Sequence, residues 1–217
     1  AAIDANTRVV FLANPNNPTG TWFDASALER FLSAVPEQVL VVLDEAYIEF
    51  AEGSDLPDGL DYLARFPNLL VSRTFSKAYG LAALRVGYAL SSPQIADVLN
   101  RVRQPFNVNS LALTAAIAAL QDDDYLKASR QLNDAGMCQL ESGLSALGLS
   151  WIPSKGNFIA VDFATDTAAL NQALLREGVI VRPIAGYGMP NFLRVSIGTE
   201  RENQRFLDAL GKVIKRG

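Results

Sequence analysis

Histidine is absent from the 217 residues. That absence excludes a Ser-His-Asp triad, an imidazole acid or base, and any His-ligated metal within this chain. Cysteine occurs once, as Cys138, so no disulfide can form inside the chain and a reducing compartment is expected. Cationic charge is also short: 19 Lys and Arg stand against 23 Asp and Glu, a net charge of −4. A sequence-independent grip on nucleic acid or on an anionic membrane needs a cationic surface, so neither partner is expected. No apolar run approaches the roughly 20 residues of a membrane-spanning helix. Chemistry in this chain is left to Lys, Asp, Tyr, Arg or a cofactor.

What is present is a globular balance, 49% apolar and 19% charged, in a length that suits one generous domain or two small ones. The chain opens Ala1-Ala2-Ile3-Asp4, which is no signal peptide and reads as a start inside something longer.

In the first half, short β-branched runs alternate with amphipathic stretches. Arg8–Ala13, Val39–Leu43 and Asn68–Ser72 read as buried strands. A helix is expected over Asp24–Val35, capped by Asp24 or by a Ser26–Glu29 capping box, and a shorter one over Leu60–Phe66. Strand, helix, strand, helix, strand implies βαβ units, a parallel sheet and an α/β fold with helices on both faces. Arg85–Leu90 supplies a fourth strand, and too few residues precede it for a crossover helix, so an antiparallel run is open to it. Ser92 with Pro93 opens a helix. Ser110–Leu120 is apolar nearly all round and is expected to be buried. Asp122–Leu147 is a long helix with Asp122, Asp123 and Asp124 as a solvated start, and its Cys138 reads as core filler. Strands at Asn157–Phe163, Val179–Arg182 and Phe192–Ile197 and helices at Thr167–Arg176 and Thr199–Lys215 then form a small C-terminal α+β module, with Thr199 and Glu202 as a capping box.

Ligands of open parallel sheets lie at the carboxyl ends of the strands. The first strand runs into Asn14-Pro15-Asn16-Asn17-Pro18-Thr19-Gly20, the second into Asp44-Glu45-Ala46-Tyr47, and the third into Arg73-Thr74-Phe75-Ser76-Lys77. An amide, a carboxylate, a phenol, two hydroxyls and a lysine thus gather at one edge, with Arg85 eight residues beyond Lys77. A lysine holds pyridoxal 5'-phosphate as a Schiff base, and an acid opposite the pyridine nitrogen keeps it protonated. Hydroxyls and an arginine suit a dianionic phosphate, while an amide and a phenol suit the ring's 3-oxygen. The position of Asp44 after an apolar run favours a buried, paired carboxylate. Arg85 has a second reading, as a salt-bridge partner of Asp44 or Glu45. Tyr187, between Gly186 and Gly188, reads as a loop residue or as part of a substrate entrance.

These motifs, with Ala78–Tyr88, Gly178–Pro183 and Phe192–Thr199, resemble the fold-type I, class-II aminotransferases, and within them the histidinol-phosphate aminotransferase family. The resemblance runs over essentially the whole chain. It implies part of the large cofactor-binding domain over residues 1–121, a connecting helix over 122–148 and a small domain over 149–217. Carried over by position, it makes Lys77 the cofactor lysine and proton shuttle and pairs Asp44 with the pyridinium nitrogen. Asn17 and Tyr47 go to the 3-oxygen, and Thr74, Ser76 and Arg85 to the phosphate. Arg194 would clamp a substrate carboxylate or phosphate, with Arg182 as a lesser candidate. The implied substrates are histidinol phosphate and 2-oxoglutarate, giving glutamate, in a cytoplasmic homodimer. Other amino donors, a threonine-phosphate-type decarboxylase and an inactive, self-associating fragment stay open. The family carries an N-terminal section ahead of the Asn-Pro-rich turn, with a partner-reaching arm, a glycine-rich phosphate turn and a ring-stacking aromatic. The chain therefore reads as a C-terminal piece.

Overall fold

The structure, a computed structural model, describes residues 2–51, 53 and 55–216. Two compact units are present. One comprises the chain up to Pro15 and Trp22–Lys127, and the other comprises Asn16–Thr21 and the chain from Ala128 onward.

In the first unit, β1 (Val9–Ala13), β2 (Leu40–Asp44), β3 (Leu69–Thr74) and β4 (Gly87–Ser91) form one sheet in that order. The first three strands are parallel, with Ala13 beside Asp44 and Asp44 beside Ser72. β4 returns antiparallel, as its short connection requires. Side chains alternate across a strand, so Val41, Leu43, Leu69 and Val71 share one face. All four are buried with Leu28 and Leu32 of α1 (Ala25–Ala34). Asp24 caps α1, its Oδ1 accepting the Ala27 N–H at 2.7 Å, and Ser26 accepts from Arg30 instead. The helix expected over Leu60–Phe66 is a single 3-10 turn, Gly59–Tyr62, opened by the Asp58 carboxylate. Pro67 follows too closely for a longer helix, because the residue before a proline is pushed out of the α region.

Pro93 stands in the first turn of α2 (Pro93–Val102), and Ser92 occupies the cap position without a side-chain bond. α3 (Ser110–Ala119) corrects the expectation of all-round burial. Its small face, Ala112 and Ala116, packs on Phe75 and Val86. Leu113, Ile117 and Leu120, spaced to form one stripe, remain 50%, 62% and 55% exposed. Apolarity on every side of a helix states what could be buried, and among the described residues of this unit it is the alanine face that packs.

α4 (Asp123–Ala146) starts with the Asp122 carboxylate accepting the Tyr125 N–H at 3.0 Å. Cys138 is exposed rather than core filler. Asn133, Gly136, Leu140 and Leu144 form the buried stripe of α4, and position 138 turns to the other side. In the second unit, β5 (Ser150–Ile152), β6 (Phe158–Asp162), β8 (Phe192–Ser196) and β7 (Arg182–Pro183) lie in that order, all antiparallel. The strand expected over Val179–Arg182 is not formed as such; the two-residue β7 overlaps it only at Arg182. α5 (Ala168–Arg176) and α6 (Glu200–Arg216) complete the unit. Leu140, Leu144, Ile159, Val161, Leu174, Leu193 and Leu210 are fully buried in its core. The expected capping box is present: Glu202 Oε2 accepts the Thr199 N–H at 2.8 Å, and Thr199 Oγ1 accepts the Glu202 N–H at 3.4 Å. Among the described residues no helix is long and apolar enough to cross a membrane.

Candidate active site

The carboxyl ends of β1, β2 and β3 share one edge because the strands are parallel and in register. Asn14 closes β1 with a buried amide that accepts the Phe23 N–H at 3.1 Å and donates to the Phe23 carbonyl at 3.2 Å. At the end of β2 the acidic neighbours part. Asp44 is exposed, accepts the Ala46 N–H at 3.1 Å, and has no cationic partner among the described residues. Glu45, turned to the opposite face, is the fully buried carboxylate. It receives Arg73 Nε at 2.9 Å, Arg73 Nη2 at 2.7 Å and the Gly59 N–H at 2.7 Å. The expectation of a buried, paired acid was thus one residue early, because pleat alternation decides which of two adjacent acids faces the core. Burial pushes Glu45 above the ordinary carboxylate value, against the lowering pull of Arg73. Burial alone would depress the Arg73 guanidinium, but the Glu45 and Asp58 carboxylates hold it above its ordinary value. Arg73 Nη2 also reaches Asp58 Oδ1 at 2.6 Å. The salt-bridge reading considered for Arg85 therefore belongs to Arg73.

Beyond β3 the chain turns on itself. Thr74 Oγ1 accepts the Ser76 N–H at 3.0 Å, and the Leu81 and Gly80 N–H groups return to the carbonyls of Phe75 and Lys77. Phe75 and Ala78 are buried anchors, which leaves Lys77 exposed between them. Its Nζ lies 5.4 Å from the centroid of the buried Tyr47 ring and has no ion-pair partner among the described residues. Arg85 adopts a left-handed backbone (φ 54°, ψ 52°), uncommon for a side chain of this size. Its Nη1 donates to the Ala82 carbonyl at 2.7 Å and approaches Ser76 Oγ at 3.5 Å. No carboxylate neutralises it among the described residues.

The second unit holds the remaining candidates. Arg194 on β8 lies over the Phe158 ring, 4.9 Å from its centroid, and donates through Nη1 to Asn17 Oδ1. Its Nε is buried without a hydrogen-bond partner among the described residues. Arg182 lies directly opposite Arg194 across the β7–β8 pair, an arrangement of like charges that invites an anion. Both line a cleft of about 820 Å³ with Ser196 and Arg201. Tyr187 ends a short 3-10 turn and is exposed. Sequence reasoning missed Glu45, Arg73 and Asp58 as a network. Their one available signal was an acid and a base each adjacent to a candidate site residue.

Residues 1–210 match the family of aminotransferases of class I and II, and the chain belongs to it. It is 79% identical over 214 residues to histidinol-phosphate aminotransferase 2 of Pseudomonas aeruginosa, covering 99% of this chain and 58% of that protein. Histidinol-phosphate aminotransferase 2 of Pseudomonas fluorescens is 76% identical over 217 residues, covering 100% and 59%. The chain therefore spans less than two thirds of the length of these curated relatives. A crystal structure of histidinol-phosphate aminotransferase from Sinorhizobium meliloti in complex with pyridoxal-5'-phosphate superposes with a TM-score of 0.91 at 37% identity, over 97% of this chain and 58% of that one. The fold is that of the pyridoxal-phosphate transferases, α/β with a mixed sheet, as the motifs imply.

Proposed function

We propose that the polypeptide to which this chain belongs is a pyridoxal-phosphate-dependent aminotransferase that converts histidinol phosphate and 2-oxoglutarate to imidazole acetol phosphate and glutamate. One observation carries the reading: an amine, a carboxylate and a guanidinium (Lys77, Asp44 and Arg85) stand without salt-bridge partners around the carboxyl ends of adjacent strands. Unpaired charges of these three kinds fit the aldehyde, the pyridine nitrogen and the phosphate of pyridoxal phosphate. When bound, that group supplies an electrophilic carbon and an electron-withdrawing ring.

Lys77 would hold the group through Nζ and, once displaced by an incoming amine, would use the same atom to take the proton from the substrate's amine-bearing carbon and deliver it to the cofactor's former aldehyde carbon. Asp44 would keep a proton on the ring nitrogen. Arg85, with the Thr74 and Ser76 hydroxyls, would take the phosphate. Tyr47 would donate to the 3-oxygen, and Asn17 keeps the same assignment on the resemblance. Arg194 would bind the carboxylate of glutamate or the phosphate of the first substrate, supported by its unpartnered Nε and by Arg182 opposite. Residues 1–121 would then serve the cofactor, 122–148 the connection and 149–217 the small domain. A cytoplasmic homodimer completes the reading, since a reducing compartment keeps the exposed Cys138 thiol free.

The test uses the full-length polypeptide. Borohydride reduction after loading should fix a pyridoxyl group on the Lys77 peptide, and histidinol phosphate should be turned over in preference to an aromatic amino acid. A pyridoxyl mark that persists elsewhere in Lys77→Ala would overturn the lysine assignment. Absence of turnover with histidinol phosphate would overturn the substrate.

A further inference from the structure

Glu45, Arg73 and Asp58 lie on the α1 side of the sheet, behind the candidate site. Pleat alternation puts Glu45 and Arg73 on the face of Leu43 and Val71, and Asp44 and Thr74 on the other. Each member of the buried pair is therefore a sequence neighbour of a front-facing site residue: Glu45 of Asp44, and Arg73 of Thr74. At these positions the main-chain ladder is running out. The Glu45 N–H to the Ser72 carbonyl, at 2.9 Å, bridges the ends of β2 and β3. The Arg73 fork on Glu45 adds two side-chain bonds across the same gap, and Asp58 and the Gly59 N–H close it from below.

The packing leaves this cluster no slack. A Cβ at Gly59 would come within 2.8 Å of Glu45 Oε1, 2.8 Å of Val71 Cγ2 and 2.7 Å of Leu43 Cδ2. The Glu45 carboxylate is thus held against backbone on one side and a guanidinium plane on the other. Two rigidly linked guanidinium donors converge on one oxygen, Glu45 Oε2, and the second also bonds Asp58, which fixes orientation as well as distance in a way an ammonium cannot.

We propose that Glu45, Arg73 and Asp58 are positioning residues of the cofactor site. By clamping the ends of β2 and β3 from behind, they set the spacing between Asp44 and the Thr74–Lys77 turn. This rests on the cofactor reading above, and it adds residues that touch neither cofactor nor substrate.

The experiment compares Arg73→Lys and Gly59→Ala with Leu28→Ala in the full-length polypeptide. Leu28 is fully buried in the same core, so its truncation destabilises the unit without touching the clamp. Arg73→Lys keeps the charge and loses the fork, while Gly59→Ala presses on Glu45 with no change of charge. Two quantities are read where every variant is folded: amide hydrogen exchange over residues 44–47 and 74–77 without cofactor, and the dissociation constant for pyridoxal phosphate. Both clamp variants should accelerate exchange in the two segments and weaken the cofactor by about tenfold, the size of one charge-assisted hydrogen bond. Leu28→Ala should stay within about twofold of the parent in both. Equal exchange in the clamp variants and Leu28→Ala overturns the proposal and leaves a purely structural ion pair. If the parent itself binds no pyridoxal phosphate, the cofactor reading falls, and the exchange comparison alone decides the clamp.

Discussion

Arg85 offers a test that separates backbone strain from ligand chemistry. Its φ of 54° and ψ of 52° place a β-carbon where L-residues crowd the following carbonyl, at a cost of about 1–2 kcal/mol. Arg85→Ala and Arg85→Gly both remove the guanidinium with its bonds to Ala82 and Ser76. Only the glycine variant also releases the strain. Glycine's greater freedom in the unfolded chain takes back about 0.4–1 kcal/mol, so glycine should be more stable than alanine by about 0.5–1 kcal/mol. With a urea dependence of about 2 kcal/mol per M, the unfolding midpoints should differ by about 0.3–0.5 M. Trp22, one of two tryptophans, lies in the first unit with its Nε1 on Asp55, so its fluorescence in a Trp151→Phe background reports the correct transition. Both variants should lose phosphate affinity alike, by about 10–150-fold for a lost charged hydrogen bond. An alanine variant as stable as the glycine one refutes the left-handed assignment. The expected stability order with unchanged cofactor affinity refutes the phosphate role.

Leu144→Ala, in the fully buried core of the second unit, should cost about 2–5 kcal/mol, read by Trp151 fluorescence in a Trp22→Phe background. Glu202 has its carboxyl held below the ordinary value of 4.5 by the Thr199 N–H and hydroxyl. A carboxylate with a lowered folded value stabilises above its unfolded value, and that contribution disappears as pH falls through the folded one. The stability gap between the parent and Glu202→Gln should therefore be fully open near pH 7 and shrink as pH falls below 4.5 in urea titrations. The stripe of Leu113, Ile117 and Leu120 should make this chain self-associate in sedimentation velocity, and Leu113→Lys with Ile117→Lys should suppress it.

The parallel order of the first sheet was readable because Val39–Leu43 and Asn68–Ser72 are continuous apolar runs. The burial expected of Arg8–Ala13 is not met: Val9 and Phe11, alternating onto the face away from α1, are 43% and 74% exposed. The antiparallel return of β4 was readable from the brevity of its connection. The capping box of α6 could be read from a four-residue pattern. The misreadings share a cause. Asp44 and Glu45 are chemically alike, and their opposite fates follow from pleat phase, which shifts with a one-residue error in the strand end. The exposure of Cys138 depends on helical phase in the same way. The stripe on α3 was misread because sequence gives a segment's apolarity but not the number of its neighbours. Pairing of Asn17 with Arg194 spans most of the chain, and no local pattern encodes it.

Residues 16–21 have a practical consequence for anyone dissecting this protein. The Gly20 carbonyl accepts the Lys155 N–H at 3.0 Å, and a β-carbon at Gly20 would sit 2.9 Å from the Ser154 Cα, so this strip is moulded to a loop more than 130 positions downstream. Severing the chain after Lys127 would leave the C-terminal product with a bare groove where the strip had been. An autonomous version would have to carry those six residues back, grafted ahead of Ala128 through a flexible linker.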